Sequence, residues 1–127
     1  MENSLPFRNI REVWPDVKRG LEVIRRRCPE VRWQPEDIYA ACVNGDAALC
    51  FEDGNFAVLK EFTDPYSLAR VLGIWVAFGV GINAMRGRVE SYARENEYDE
   101  LRLTSSRKGW SNVEGWEFME ATYRKEL

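Results

Sequence analysis

The segment RVLGIWVAFGVGINAMRGRVESYAREN, residues 70–96, limits the fold more than any other. Its longest apolar stretch, Val71–Ile82, has 12 residues and is too short to span a bilayer, and Leu68–Phe78 is mostly apolar on both faces. This predicts a central strand covered from both sides. At Gly79 and Gly81 the pattern changes to a helix of about 13 residues, with Met85, Val89, Tyr92 and Ala93 inward and Arg86, Glu90, Arg94 and Glu95 outward. Strand, glycine turn, helix is a layout that can offer free backbone amides to an anion. Two readings of the turn stay open. In one, the amides of Gly81, Ile82 and Asn83 cradle an anion, flanked by Phe78 and Val80. In the other, glycine only relieves crowding where a buried strand ends, or supplies a positive φ. Arg86 and Arg88 stand in the first two helical turns, where the helix dipole disfavours cations, so a nearby anion or carboxylate is expected.

Elements before and after this segment follow from the same kind of pattern. Ile10, Val13, Trp14, Val17, Leu21, Ile24 and Cys28 form one apolar stripe of a helix, in which Pro15 is expected in the first turn and Pro29 beyond the end. Pro35, Glu36 and Asp37 open a second helix that Asn44-Gly45 stops. Two apolar runs then flank Asp53-Gly54, a strong two-residue hairpin signal. The residues 63–67, TDPYS, turn into the central strand. Leu101 and Leu103 alternate with Arg102 and Thr104 as a half-buried strand. RKGWSNVEG reads as a loop or short helix, and the residues from Trp116 onward as a last strand. The expected class is α/β (α+β): one domain over residues 1–127, with helices on both faces of a mixed sheet.

Composition removes several chemistries. The 127-residue chain has no histidine, which excludes a Ser-His-Asp hydrolase and makes a zinc site untenable. Its net charge of −3 gives no basic excess for general nucleic-acid binding. Cys28, Cys42 and Cys50 are far apart and are expected as buried or half-buried free thiols in a reducing compartment. The first ten residues have no export pattern, so a cytoplasmic location is expected, with no membrane and no metal. Arg25, Arg26 and Arg27 read as a wet helix face, and the tryptophans as core, with Trp33 the candidate exception.

The order of elements resembles the GNAT superfamily, the acyl-CoA-dependent N-acetyltransferases, from about Ile10 to Leu127. A first strand would come from the short N-terminal segment. Within the chain, YAREN on the helix, RKGW after the next strand and the closing YRKEL are similar to short GNAT-like proteins of phages and prophages. The resemblance implies that the turn holds the pyrophosphate of acetyl-CoA through Phe78, Gly79, Val80, Gly81, Ile82 and Asn83, with Arg86 nearby. It also implies that the central strand splays from its neighbour after Gly79. Gly115-Trp116 stands in the place of the family's Gly-Phe. Departures are plain: Val76 occupies the Arg/Gln position, Ser111 the catalytic tyrosine position, and Leu68–Phe78 carries no carboxylate. Glu61, on the preceding strand, is the nearest substitute base. The resemblance therefore implies an N-acetyltransferase acting on a small amine or a protein amine. Its alternative is a non-catalytic phage accessory or virion assembly protein that works through contacts with phage structural proteins and is virion-associated.

Overall fold

The computed structural model describes residues 5–104, 115, 116, 119, 125 and 126. In chain order they form α1 (Ile10–Arg27), α2 (Pro35–Val43), β1 (Ala48–Glu52), β2 (Asn55–Thr63), β3 (Arg70–Phe78), α3 (Ile82–Glu95) and β4 (Glu100–Leu103). The four strands make one mixed sheet in the order β1-β2-β3-β4, antiparallel except for the parallel β3–β4 pair. The N-terminal segment adds the expected short partner to the β1 edge, where Phe7 bridges Cys50. The last strand read from Trp116 onward, the RKGWSNVEG loop and Ser111 lie outside the described residues.

Alternation along the strands sends their side chains into two cores. Leu49, Phe56, Val58 and Val76 meet Val13, Val17 and Leu21 of α1 and Ile38 of α2. On the other face Cys50, Ala57, Leu59, Leu72 and Ile74 meet Met85, Val89 and Ala93 of α3. The helices thus cover both faces of the mixed sheet. A β-bulge makes this division possible on β3. Val58 pairs with Val76 but Leu59 with Ile74, so Trp75 is the extra residue. Beyond it the strand changes phase: Ile74 faces α3, whereas Val76 faces α1 and α2.

Two boundaries differ from expectation. α1 begins at Ile10, capped by the Asn9 side chain, which accepts the Arg11 amide at 3.0 Å, so Pro15 lies inside the helix and not in its first turn. Pro15 is on the exposed side, where water can serve the Arg11 carbonyl that proline leaves unpaired, while Ile10, Val13 and Val17 stay buried. β3 starts at Arg70 and not Leu68, because Leu68 has φ +64 and closes the preceding turn. Asp64 organises that turn by accepting the amides of Tyr66 and Ser67 at 2.8 and 2.9 Å.

Other expectations agree with the coordinates. Pro35 opens α2, whose Asp37 carboxylate accepts the Gln34 amide at 2.7 Å. Asp53 and Gly54 both have positive φ, +53 and +80, as a two-residue hairpin turn needs. The three cysteines are free; burial pushes Cys42 up to about 11 and Cys50 to about 12, which keeps both as thiols. Trp33, read as the candidate exception among the tryptophans, departs from that expectation and packs against the α1–α2 core.

Candidate functional site

The glycine turn is where β3 leaves the sheet. The described pairing of β3 with β4 ends at Ile74↔Leu103, and β3 runs on to Phe78 held by β2 on its other side. The expected splay of the central strand from its neighbour after Gly79 concerns residues beyond Thr104 that lie outside the described residues. The bulge at Trp75 bends β3 and increases its local twist ahead of the turn. Gly79 then takes φ +127 and Gly81 becomes the N-cap of α3.

Both glycines are shaped by one neighbour, Asn55, the first residue of β2. Its Oδ1 accepts the Gly81 amide at 2.8 Å. A Cβ on Gly79 would lie 2.1 Å from that oxygen, and one on Gly81 would lie 2.9 Å from Nδ2. The Ile82 amide reaches the Gly79 carbonyl at 3.3 Å. Of the three amides of the anion reading, Gly81 and Ile82 therefore have partners within the turn. Helix geometry gives the first-turn amides of Asn83 and Ala84 no partner inside α3, and both residues are exposed. Val80 is fully exposed, Phe78 stacks on Phe56 at 5.5 Å between centroids, and Arg86 is half-buried in the second turn of α3. Arg88 pairs with Glu52 at 2.6 Å, so a carboxylate of this chain supplies the anion expected near it.

Glu61 is not brought to this turn. It stands six residues beyond Asn55 on the same strand, about 20 Å away at ~3.3 Å per residue. Its carboxylate accepts the Tyr98 hydroxyl and an Arg70 N–H at 3.1 Å, and these bonds, Tyr98 first, hold its pKa below the usual value. A network surrounds it. Arg70 lies 4.0 Å over the Tyr98 ring and donates to the Asn96 carbonyl at 2.6 Å, while its backbone amide donates to Asp99 at 2.8 Å. Nearby, Arg102 joins Asp64 and Glu100, each at 2.8 Å. The Ser67 amide, Arg102 and the Tyr66 amide together hold the Asp64 carboxyl down to about 2.

Sequence reasoning missed Asn55 and Glu52. The signal was available, because a two-residue Asp53-Gly54 turn makes Glu52 and Asn55 a directly opposed pair on one face. The bonds of Arg70 to Asn96 and of Arg102 to Asp64 join residues 26 and 38 positions apart, and no local pattern marks them. A shallow recess of about 400 Å³ lies elsewhere, beside Phe7, Arg11, Cys42 and Leu49, and contains none of the candidate residues. Among the described residues no group of three or more Cys, Asp and Glu could hold a metal ion, and no helix is long and apolar enough to cross a membrane.

No family model and no curated protein matches the sequence. Solved structures do match in shape. The ribosomal-protein-alanine N-acetyltransferase of Brucella melitensis biovar Abortus 2308 is similar at a TM-score of 0.68 and 13% identity, over 98% of each chain. A tetramutant of the BH1408 protein from Bacillus halodurans gives 0.67 and 14%, over 98% of this chain and 99% of that one. An aminoglycoside acetyltransferase, meta-AAC0020, from an uncultured soil metagenomic sample gives 0.61 and 10%, over 91% and 89%. At such identities the likeness is one of fold, and the fold is that of the GNAT acetyltransferases.

Proposed function

We propose that the protein is an acyl-CoA-dependent N-acetyltransferase formed by a single GNAT-like domain. One observation carries this reading: β3 turns through Gly79 and Gly81 directly into α3, within an acetyltransferase fold. The residues at the turn fit a phosphate group. Asn83 and Ala84 are exposed at the positive end of α3, and neither glycine places a side chain over them. The turn from Phe78 to Asn83 would hold the pyrophosphate of acetyl-CoA through the amides of Asn83 and Ala84, since those of Gly81 and Ile82 already have partners, with Arg86 adding positive charge one turn further on. When bound, the cofactor supplies the thioester that is attacked.

In the transfer, the amine nitrogen bonds to the acyl carbon, the carbon–sulfur bond breaks, and the amine loses a proton. Glu61 or water takes that proton. Glu61 is poorly suited as it stands, because its hydrogen bonds to Tyr98 and Arg70 lower its basicity. Positioning of the two reactants then supplies most of the acceleration. The acceptor is a small amine or a protein amine. Ser111, in the place of the family's tyrosine acid, is a weaker acid than a phenol and would protonate the leaving thiolate poorly.

Titration with acetyl-CoA tests the reading. Saturable binding below millimolar concentration is expected, and Gly81→Trp should weaken it by crowding Asn55. Absence of binding at millimolar acetyl-CoA overturns it. The commitment of Glu61 to Tyr98 and Arg70 favours a second reading, a GNAT-fold protein without catalysis. Its phage setting, as an accessory or virion assembly factor, rests on the resemblance of three short motifs. Co-purification with phage particles would support it; absence from them would remove the virion role.

A further inference from the structure

We infer that Glu52 and Asn55, the residue pair that closes the β1–β2 hairpin, are positioning residues that fix the first turn of α3 and so the amides it presents to an anion. The identity of the anion rests on the acyl-CoA reading above, whereas the bracket itself rests on geometry.

The Asp53-Gly54 turn contributes two residues, so Glu52 and Asn55 face each other across the hairpin with both side chains on the α3 side of the sheet. Each grips α3 at a different height. Asn55 Oδ1 accepts the Gly81 amide at 2.8 Å, and Glu52 accepts from Arg88 at 2.6 Å, two turns further along. Gly81 at the N-cap has no side chain to accept a first-turn amide of α3, and Asn55 binds a different donor, the N-cap amide itself, from another strand. The Asn55 amide group is held in turn: Nδ2 donates to the Glu52 carbonyl at 3.2 Å, which leaves Oδ1 directed at Gly81. The close approach of Gly79 shows how little room the bracket leaves. With a Cβ position 2.1 Å from Asn55 Oδ1, residue 79 must be glycine for the bracket to close. Asn55 therefore does not compete with a ligand for the free amides. It occupies Gly81 and thereby sets where Asn83 and Ala84 point.

Amide hydrogen exchange at Gly81 and coenzyme A titration, measured on the same proteins, test this. In Asn55→Ala, Gly81 exchange should rise about tenfold and coenzyme A should bind about tenfold more weakly, the size of one lost hydrogen bond. The KM for an amine acceptor should stay unchanged. Asn55→Asp keeps an acceptor for Gly81 but places a negative charge beside the anion. Gly81 protection should be retained while coenzyme A binding weakens, more at low salt than at high. A merely structural role would move the two readouts together. Glu52→Gln, which removes only the exposed Arg88 pair, should weaken coenzyme A about twofold and serves if Asn55→Ala is too unstable to titrate. Unchanged Gly81 exchange in Asn55→Ala overturns the bracket and leaves the acyl-CoA reading intact. Released Gly81 with unaltered coenzyme A affinity overturns the positioning role. A wild-type protein that shows no saturable coenzyme A binding at millimolar concentration overturns the acyl-CoA reading, and the ligand role of the bracket with it, whatever the exchange shows.

Discussion

At the end of the β2–β3 ribbon that carries Thr63 and Arg70, charged side chains are joined to one another: Asp64 to Arg102, Glu61 to Arg70, Arg102 to Glu100. At the end that carries Asn55 and Phe78, two glycines and one neutral amide side chain fix the backbone, and a single ion pair, Glu52–Arg88, supports them. The first arrangement commits its charged groups to holding loop and strands together. The second leaves exposed helical amides at the rim of the sheet. The candidate base at the first end, Glu61, is thus already hydrogen-bonded to Tyr98 and Arg70, whereas the ligand proposed above would meet the second end.

This contrast is broken most severely by Gly79→Ala. A φ of +127 strains any residue with a Cβ, and the collision with Asn55 adds overpacking; together these should cost about 3 kcal/mol in urea unfolding. Acid should separate the two ends next. The Asp64 carboxyl lies at about 2 when folded against its ordinary 3.8, so its contribution is complete above about pH 4 and disappears as pH falls through 2. Exchange at Tyr66 and Ser67, corrected for intrinsic rates, should rise across that interval before exchange at Gly81 does. Tyr98→Phe should destabilise by about 1 kcal/mol at most and let the Glu61 carboxyl titrate higher by NMR, since the leading cause of its depression is removed. The smallest effect belongs to Glu52→Gln, about 0.5 kcal/mol and diminished by salt, because both partners are substantially exposed.

Much of the architecture was legible in the chain because it is encoded locally. Periodicity placed α1 and α3, Pro35 and Asn44 bounded α2, and Asp53-Gly54 fixed the hairpin. Where two local rules conflicted, the prediction slipped. Pro15 argued for a later start to α1, but the buried stripe from Ile10 and the Asn9 cap prevailed because proline could be placed toward water. The site was legible in part. Gly79 and Gly81 were correctly singled out as special, yet the cause is the approach of Asn55 from a residue 26 positions away, which no pattern around the glycines contains. The same holds for Glu61, whose residue type suggested a base while its partners Tyr98 and Arg70 arrive through tertiary packing.

The extra residue in β3 also has a bearing on how such a chain tolerates change. Because Trp75 lies between the Val58↔Val76 and Leu59↔Ile74 pairs, it is one residue more than the ribbon needs to set Ile74 and Val76 on opposite faces. Deleting it would make the ribbon regular and keep Val76 and Phe78 in the core they share with Phe56, but it would remove the local bend and added twist that aim the glycine turn. Position 75 should accept many replacements for tryptophan. A deletion at position 75 should instead change the direction in which the turn leaves the sheet, while the faces of Val76 and Phe78 are kept.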